Sequence, residues 1–292
     1  MAKTAWVFPG QGSQAIGMGS DLLELPAAKA KFDRAEQILG WSVVEICQSP
    51  ENKVSQTLYT QPCLYVVETI LADLLKEKGQ MPDFVAGHSL GEYSALYTAG
   101  VFDFEAGLRL MQRRAELMDS ASDGMMAALL GFDRAQLEAV LADTPGAVLA
   151  NDNNSGQVVI SGTPEAVEAV MAQVKSKKAV KLNVSGAFHS PLMAAAAEQF
   201  QTVLNAVEFK AAEMPVLSNI DPIPSRNAGE LKSRLSRQMT GSVRWREISL
   251  RLPEENVDRV IEVGPGKVLT GIIKRTCPDL VLENVGSLAD LL

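Results

Sequence analysis

The triplet Gly87-x-Ser89-x-Gly91 is where residue type and spacing first imply chemistry. Glycines two residues either side of a serine permit a crowded, sharp turn from strand to helix, which lifts the hydroxyl above a sheet as a nucleophile. The flanks fit: Phe84-Val85-Ala86 reads as a short apolar strand, and Glu92 to Ala99 as a helix closed by Gly100 at the C′ position. Ser89 would then lie near a helix N-terminus, with the next amide facing an oxyanion.

A serine needs a base, and the chain has only two histidines. His88 adjoins Ser89, and neighbouring side chains in such a turn point apart, so it reads as a packing or hydrogen-bonding residue. His189 lies in Ser185-Gly186-Ala187-Phe188-His189-Ser190-Pro191, a loop between a strand and a helix, and is the expected base. Asp143 and Asp152 lie near predicted strand ends but read as solvated turn carboxylates. A Ser-His dyad, its imidazole oriented by a carbonyl or amide, is the alternative to a triad.

Helical sequence around Phe104 to Asp119 carries two adjacent arginines. Arg113 shares a face with Arg109, Gln112 and Glu116 and reads as a surface charge. Arg114 shares its stripe with Leu110 and Leu117, so its guanidinium must find an anion, either an internal carboxylate or one on a substrate. Two nucleotide-like motifs fail. Gly10-x-Gly12-x-x-Ala15 is followed by helical sequence, not by a second strand ending in an acid. Gly264-Pro265-Gly266-Lys267 lacks the earlier glycine of a phosphate loop, and Val268 stands where Ser or Thr belongs. With no HExxH, CxxC or EF-hand pattern, neither a metal nor a redox cofactor is expected.

The elements that must position these residues read as an α/β protein. Ala5 to Phe8 is a buried strand ending at Pro9, and Gly10-Gln11-Gly12-Ser13-Gln14 is a loop suited to close backbone approach. A helix is expected from Thr60, with Pro62 in its first turn and Leu64, Val67, Leu71, Leu74 and Leu75 on one core-facing side. Predicted strands at Met125–Leu130, Ala147–Ala150, Val158–Ser161 and Ala179–Val184 alternate with helices at Arg134–Ala142 and from Pro164 to about Lys175. This β-α-β-β-α-β order suggests a ferredoxin-like small subdomain over residues 125–186, inserted into a core of residues 1–124 and 187–292. Pro215 to Arg226 reads as a long loop, and Val257 to Val263 as a strand.

Composition sets the outer limits. The chain has 292 residues, 47% hydrophobic and 21% charged, enough for a large core and unlike a disordered protein. A net charge of −8 argues against nucleic acid or anionic membrane as partner. Cys47, Cys63 and Cys277 form no close pairs in sequence, which suggests a reducing compartment. No signal-peptide pattern or apolar run of roughly 18 residues occurs, so a soluble cytoplasmic protein is expected, with the plastid stroma as the alternative if a transit peptide was removed.

Four segments together resemble one family. Phe8-Pro9-Gly10-Gln11-Gly12-Ser13-Gln14, Gly87-His88-Ser89-Leu90-Gly91-Glu92-Tyr93-Ser94-Ala95, Phe188-His189-Ser190-Pro191-Leu192-Met193 and Glu262-Val263-Gly264-Pro265-Gly266-Lys267-Val268-Leu269 are similar, in this order, to the malonyl-CoA:acyl carrier protein transacylases. The resemblance covers essentially the whole chain and implies a hydrolase-like α/β core with the inserted ferredoxin-like unit. It implies Ser89 as the acylated nucleophile, His189 as base, and the backbone N–H groups of Gln11 and Leu90 as oxyanion hole. It further implies Arg114 as the clamp for the malonyl carboxylate and Gln238 as an active-site glutamine. Gly241-Ser242-Val243-Arg244-Trp245 departs from the family pattern, which has Pro at the Ser242 position. Leu90 and Ala187-Phe188-His189 resemble the malonyl-selective versions, Phe188 leaving no room for an α-methyl group.

The implied reaction is ping-pong, from malonyl-CoA through Ser89 to the phosphopantetheine thiol of acyl carrier protein. An acidic carrier would dock on Lys175, Lys177, Lys178 and Lys181, or on Lys267, Lys274 and Arg275. The rivals are a serine esterase or thioesterase, which would pass the acyl group to water, and a noncatalytic binding module.

Overall fold

The stretch Ala5-Trp6-Val7-Phe8 is wholly apolar because the strand it forms, β1 (Lys3–Phe8), is covered on both faces. Trp6 and Phe8 point to one side of the sheet and Ala5 and Val7 to the other, each pair joining a different hydrophobic cluster. The computed structural model describes residues 3–121, 123–184 and 186–291. The predicted core limits at residues 1 and 292, and Ser185 of the predicted histidine loop, lie outside them.

Between β1 and β2 (Phe84–Gly87) run helices α1 (Pro26–Leu39), α2 (Val43–Gln48) and α3 (Thr57–Glu77). Helices α4 (Gly91–Thr98) and α5 (Phe104–Asp119) follow. The next segment comprises β3 (Met125–Phe132), α6 (Arg134–Ala142), β4 (Ala147–Asn154), β5 (Gln157–Gly162), α7 (Pro164–Gln173) and β6 (Ser176–Lys181). The chain continues with α8 (Ala194–Ala206), β7 (Val216–Leu217), α9 (Ala228–Gln238), α10 (Trp245–Glu254), β8 (Val257–Val263), α11 (Val268–Thr276) and β9 (Val281–Val285).

Five strands form a parallel sheet in the order β7-β2-β1-β8-β9. Four form an antiparallel sheet in the order β4-β5-β3-β6. One face of the smaller sheet packs Ala127, Leu129, Val158 and Ile160 against α6 and α7. The other face turns Met126, Ala128 and Val159 toward the main core. The segments linking the two sheets press backbone to backbone: a Cβ on Gly124 would lie 2.5 Å from the Ala187 nitrogen, and one on Gly186 would lie 2.0 Å from the Ala121 oxygen.

Several expected boundaries are corrected. Helix α3 begins at Thr57, so Pro62 lies inside it, and every residue from Thr60 to Ala72 is buried rather than one face alone. Packing on all sides sustains the helix although Pro62 cannot donate its amide. Strand β4 runs past Ala150 to Asn154 through two register irregularities. Strand β6 starts three residues early and its ladder with β3 spans Ser176–Lys181; Leu182 N still donates to Met126 O, and Leu182 and Val184 line a cavity. The expected Pro215–Arg226 loop contains β7, a strand too short to carry a pattern. Gly100 does take the left-handed conformation expected after α4 (φ 72°). No helix among the described residues is long and apolar enough to cross a membrane.

Candidate active site

Strand β2 ends at Gly87 and α4 starts at Gly91, so three residues must reverse the chain. A Cβ on Gly87 would lie 2.0 Å from the Gly91 carbonyl, and one on Gly91 would lie 2.2 Å from the Phe8 oxygen, so both positions require glycine. Ser89 between them is held at φ 52°, a left-handed conformation that costs a non-glycine residue about 1–2 kcal/mol. The amides of the turn can be accounted for individually. His88 N donates to Phe8 O, Ser89 N to Asn219 Oδ1, Gly91 N to His88 O and Glu92 N to Ser89 O. Leu90 N–H has no acceptor among the described residues and borders the cavity above Ser89. The Gly10 loop packs against the same turn, since a Cβ on Gly10 would lie 2.6 Å from the His88 oxygen. Gln11 therefore borders the cavity too, and its side chain donates to Thr57 Oγ1 at 3.1 Å.

The Ser89 hydroxyl lies 2.8 Å from His189 Nε2. His189 Nδ1 faces two carbonyl oxygens, Gln238 O at 3.0 Å and Gly241 O at 3.2 Å. Only a protonated Nδ1 can donate to both, which leaves the Nε2 lone pair for the serine. Burial, with help from the Arg114 charge, lowers the His189 pKa to about 3. No carboxylate among the described residues contacts this imidazole. Asp143 caps the end of α6. Asp152 is not a solvated turn residue as expected; it is buried in β4 between Arg134 (2.7 Å) and Arg246 (3.0 Å). His88 donates from Nε2 to Asn153 Oδ1 at 2.9 Å and lies beside Trp245.

Arg114 is buried at 1% exposure, with no ion-pair partner among the described residues. Neutral groups hold it instead. Nη1 donates to Gln61 Oε1 at 2.6 Å, and Nη2 to Ser89 Oγ at 3.0 Å and Gln238 Oε1 at 3.2 Å. The guanidinium lies over the Tyr93 ring, and burial lowers its pKa. Arg113 pairs with Glu116 and Gln199 on the partly exposed side of α5. Gln238 Nε2 donates to Ser89 O (2.9 Å) and to the buried Glu92 carboxyl (2.7 Å), which orients its oxygen toward Arg114. Burial pushes the Glu92 pKa up.

A cavity of about 220 Å³ lies over these groups, between the two sheets. Phe188, Met126, Val159 and Ile272 make it apolar on one side, and Gln11, Gln61 and Arg114 make it polar on the other. The site thus joins Ser89, His189, Arg114, Gln238, Gln11 and Leu90. Sequence reasoning missed Gln61, Glu92 and Asn219. The glycine loop after β8 holds no phosphate position, because the Glu262 carboxylate already accepts from Leu269 N and Thr270 N at the head of α11.

Known proteins resemble this chain in sequence and in fold. The family described as acyl transferase domain matches residues 5–289. The malonyl CoA-acyl carrier protein transacylase of Synechocystis sp. is 61% identical over 289 residues, covering 99% of both chains, and that of Bacillus subtilis is 42% identical over 94% of this chain and 90% of its own. The crystal structure of the Synechocystis enzyme superposes with a TM-score of 0.97 over 99% of each chain. A malonyl-transacylase in complex with a type II polyketide acyl carrier protein, 37% identical, gives 0.93 over 99% of this chain and 98% of its own. The parallel sheet with its antiparallel companion is thus a shared α/β fold, and the chain belongs to the acyl transferase domain family, within it to the malonyl CoA-acyl carrier protein transacylases.

Proposed function

We propose that this acyltransferase moves the malonyl group from malonyl-CoA to the phosphopantetheine thiol of acyl carrier protein through a malonyl ester on Ser89. The observation that carries this reading is Arg114: a buried cation, paired with no carboxylate among the described residues, whose Nη2 lies 3.0 Å from the Ser89 hydroxyl. A pocket for an uncharged acyl chain gains nothing from such a group, whereas a malonyl carboxylate accepts its planar fork.

In the first half-reaction Ser89 Oγ attacks the thioester carbonyl and its proton passes to His189 Nε2. The N–H groups of Gln11 and Leu90 receive the oxyanion. The C–S bond then breaks, and the departing CoA sulfur takes the proton from His189. The second half reverses these steps with the carrier thiol, which gives its proton to His189 and takes the malonyl group, restoring Ser89. Gln238 would orient both Arg114 and the serine backbone. No step needs a metal or redox cofactor.

The smaller unit, with its β-α-β-β-α-β order, is read as a ferredoxin-like insertion at residues 125–186 in a hydrolase-like core of residues 1–124 and 187–292. Phe188 on the cavity wall supports malonyl over methylmalonyl, a discrimination worth about 1–3 kcal/mol. Carrier docking is assigned to Lys177 and Lys178, exposed on β6, or to the basic end of α11 at Lys274 and Arg275; Lys181 is already paired with Glu168. The cytoplasm is the expected compartment, and neither nucleic acid nor membrane is a partner.

Intact-protein mass spectrometry with malonyl-CoA, then holo acyl carrier protein, tests the reading. A malonyl adduct absent from Ser89→Ala and passed to the carrier supports it. An adduct lost only to water points to a thioesterase, and no adduct on the parent protein leaves a binding module.

A further inference from the structure

Ser89 keeps its left-handed backbone with help from two side chains distant in sequence. Gln238 donates to its carbonyl. Asn219, fully buried in the loop after β7, takes its amide: Ser89 N–H donates to Asn219 Oδ1 at 2.7 Å, while Asn219 Nδ2 donates to Gly87 O at 2.6 Å. One carboxamide therefore spans the turn from the residue two before the nucleophile's amide to the amide itself. Its orientation is fixed, since the reversed amide would set oxygen against oxygen and N–H against N–H. The loop is held in turn, because Asn219 N–H donates to Glu92 Oε2 at 3.1 Å.

We propose that Asn219 is a positioning residue for the nucleophile, bridging Gly87 O and Ser89 N–H so that the strained turn keeps Ser89 Oγ on His189 and leaves Leu90 N–H as the amide open to an oxyanion. This rests on Ser89 being the acylated residue. Asn219 is placed behind the turn and acts only through the backbone. Without its amide, the half-buried Ser89 N–H and the buried Gly87 O lose these partners, and the turn relaxes from φ 52° toward the ordinary region. Serine, oxyanion amide and base then lose their common alignment.

The test uses the full chain with malonyl-CoA, following adduct formation by rapid quench and intact mass, for the parent, Asn219→Ala and Asn219→Asp. Asn219→Ala is expected to slow Ser89 acylation on the order of 100-fold, with the KM for malonyl-CoA changed by less than about 3-fold. Asn219→Asp supplies a second readout. An ionised carboxylate can accept from Ser89 N–H but cannot donate to Gly87 O, whereas the protonated acid does both. The neutral form exists below the pKa of the new acid, so the activity of Asn219→Asp relative to the parent should rise as pH falls from about 8 to about 5. His189 stays neutral across that window, its pKa lying near 3, and the facing Glu92, whose pKa burial raises, and Arg114 are present in both proteins, so the ratio reports on position 219 rather than on the base. A side chain that merely stabilised the loop would lower the melting temperature of either variant without this pH-dependent ratio. Acylation by Asn219→Ala within about 3-fold of the parent overturns the proposal, as does a flat ratio for Asn219→Asp, which decides alone if the alanine variant does not fold. Failure of the parent to form an adduct overturns the underlying reading of Ser89 instead.

Discussion

Arg114 Nη2 donates to the same Ser89 oxygen that His189 Nε2 meets, the two contacts being 3.0 and 2.8 Å. One hydroxyl thus sits between a base and a fixed cation. The cation favours a serine oxygen that has lost its proton and disfavours an imidazolium beside it, which is why it contributes to the low His189 pKa. A malonyl carboxylate binding to Arg114 would neutralise that influence as the acyl group arrives.

Replacing the guanidinium separates charge recognition from acyl transfer. Arg114→Ala should lower kcat/KM for malonyl transfer by about 3 kcal/mol, on the order of 100-fold, from the loss of two charge-assisted hydrogen bonds. Acetyl transfer should be retained or increased. Steady-state rates with both CoA esters check this, and an equal loss for the two would count against a carboxylate clamp.

Gln61 provides a reciprocal experiment. Its Oε1 lies 2.6 Å from Arg114 Nη1, holding the fork without cancelling its charge. Gln61→Glu places a carboxylate there, so the arginine gains an internal partner and a malonyl carboxylate must displace or repel it. The expected outcome is a fall in malonyl transfer of at least tenfold, about 1.4 kcal/mol, with acetyl transfer much less affected. A malonyl-to-acetyl ratio equal to that of the parent would show that Gln61 does not set the charge balance of the pocket.

The elbow and its dependents were legible in sequence because their signals are local. Gly87, Ser89 and Gly91 fall within five residues, and Arg114 stands out against Leu110 and Leu117 within two turns of helix. Arg113 beside it pairs on the surface as its helical face suggested. Gln61 and Asn219 were not legible, since their amides act across separations of 53 and 130 residues and nothing nearby marks them. The start of α3 was misplaced because Pro62 usually marks a first turn, a local preference that packing on every side overrides here. Asp152 was misread because strand and turn differ by the register irregularities of β4, and its arginine partners come from α6 and α10.

The pH dependence should differ between substrates. Activity requires neutral His189, so acylation is retained above its folded pKa and lost as pH falls through it. In the free enzyme that value is about 3, so kcat/KM should show no break near pH 6.5, where an ordinary histidine titrates. Malonyl bound to Arg114 removes one cause of the depression, so the acidic limb of kcat should lie at higher pH than that of kcat/KM. Acetyl leaves the charge in place, and its two limbs should coincide more nearly. The same depressed value makes folding less favourable as pH drops from about 6.5 toward 3, because the unfolded chain binds a proton that the folded one excludes. Single-turnover rates with both esters check the first point; a break near pH 6.5 in kcat/KM would contradict it.

Asp152 ties the smaller sheet to the main one. Its carboxylate is buried, and its partners Arg134 and Arg246 lie on α6, packed on the smaller sheet, and on α10, packed in a cluster of the larger one. Its neighbours Asn151 and Asn153 line the cavity. The β4 backbone adds to this seam, since Asp152 N donates to Val243 O and Val243 N donates to Ala150 O. Asp152→Ala leaves two guanidiniums facing each other without their shared anion. Loss of a buried ion pair costs about 3–5 kcal/mol, but Arg134 and Arg246 retain 27% and 31% exposure, so about 2 kcal/mol is the better expectation. For a chain of this length that lowers the melting temperature by about 3 °C. Arg246→Ala in the Asp152→Ala background should then cost much less than Arg246→Ala alone, because the contact it removes is already gone. Thermal melts of the two single variants and the double variant decide it. Additive losses would mean that the ion pair contributes nothing across the seam and that the β4 backbone contacts hold the two sheets together by themselves.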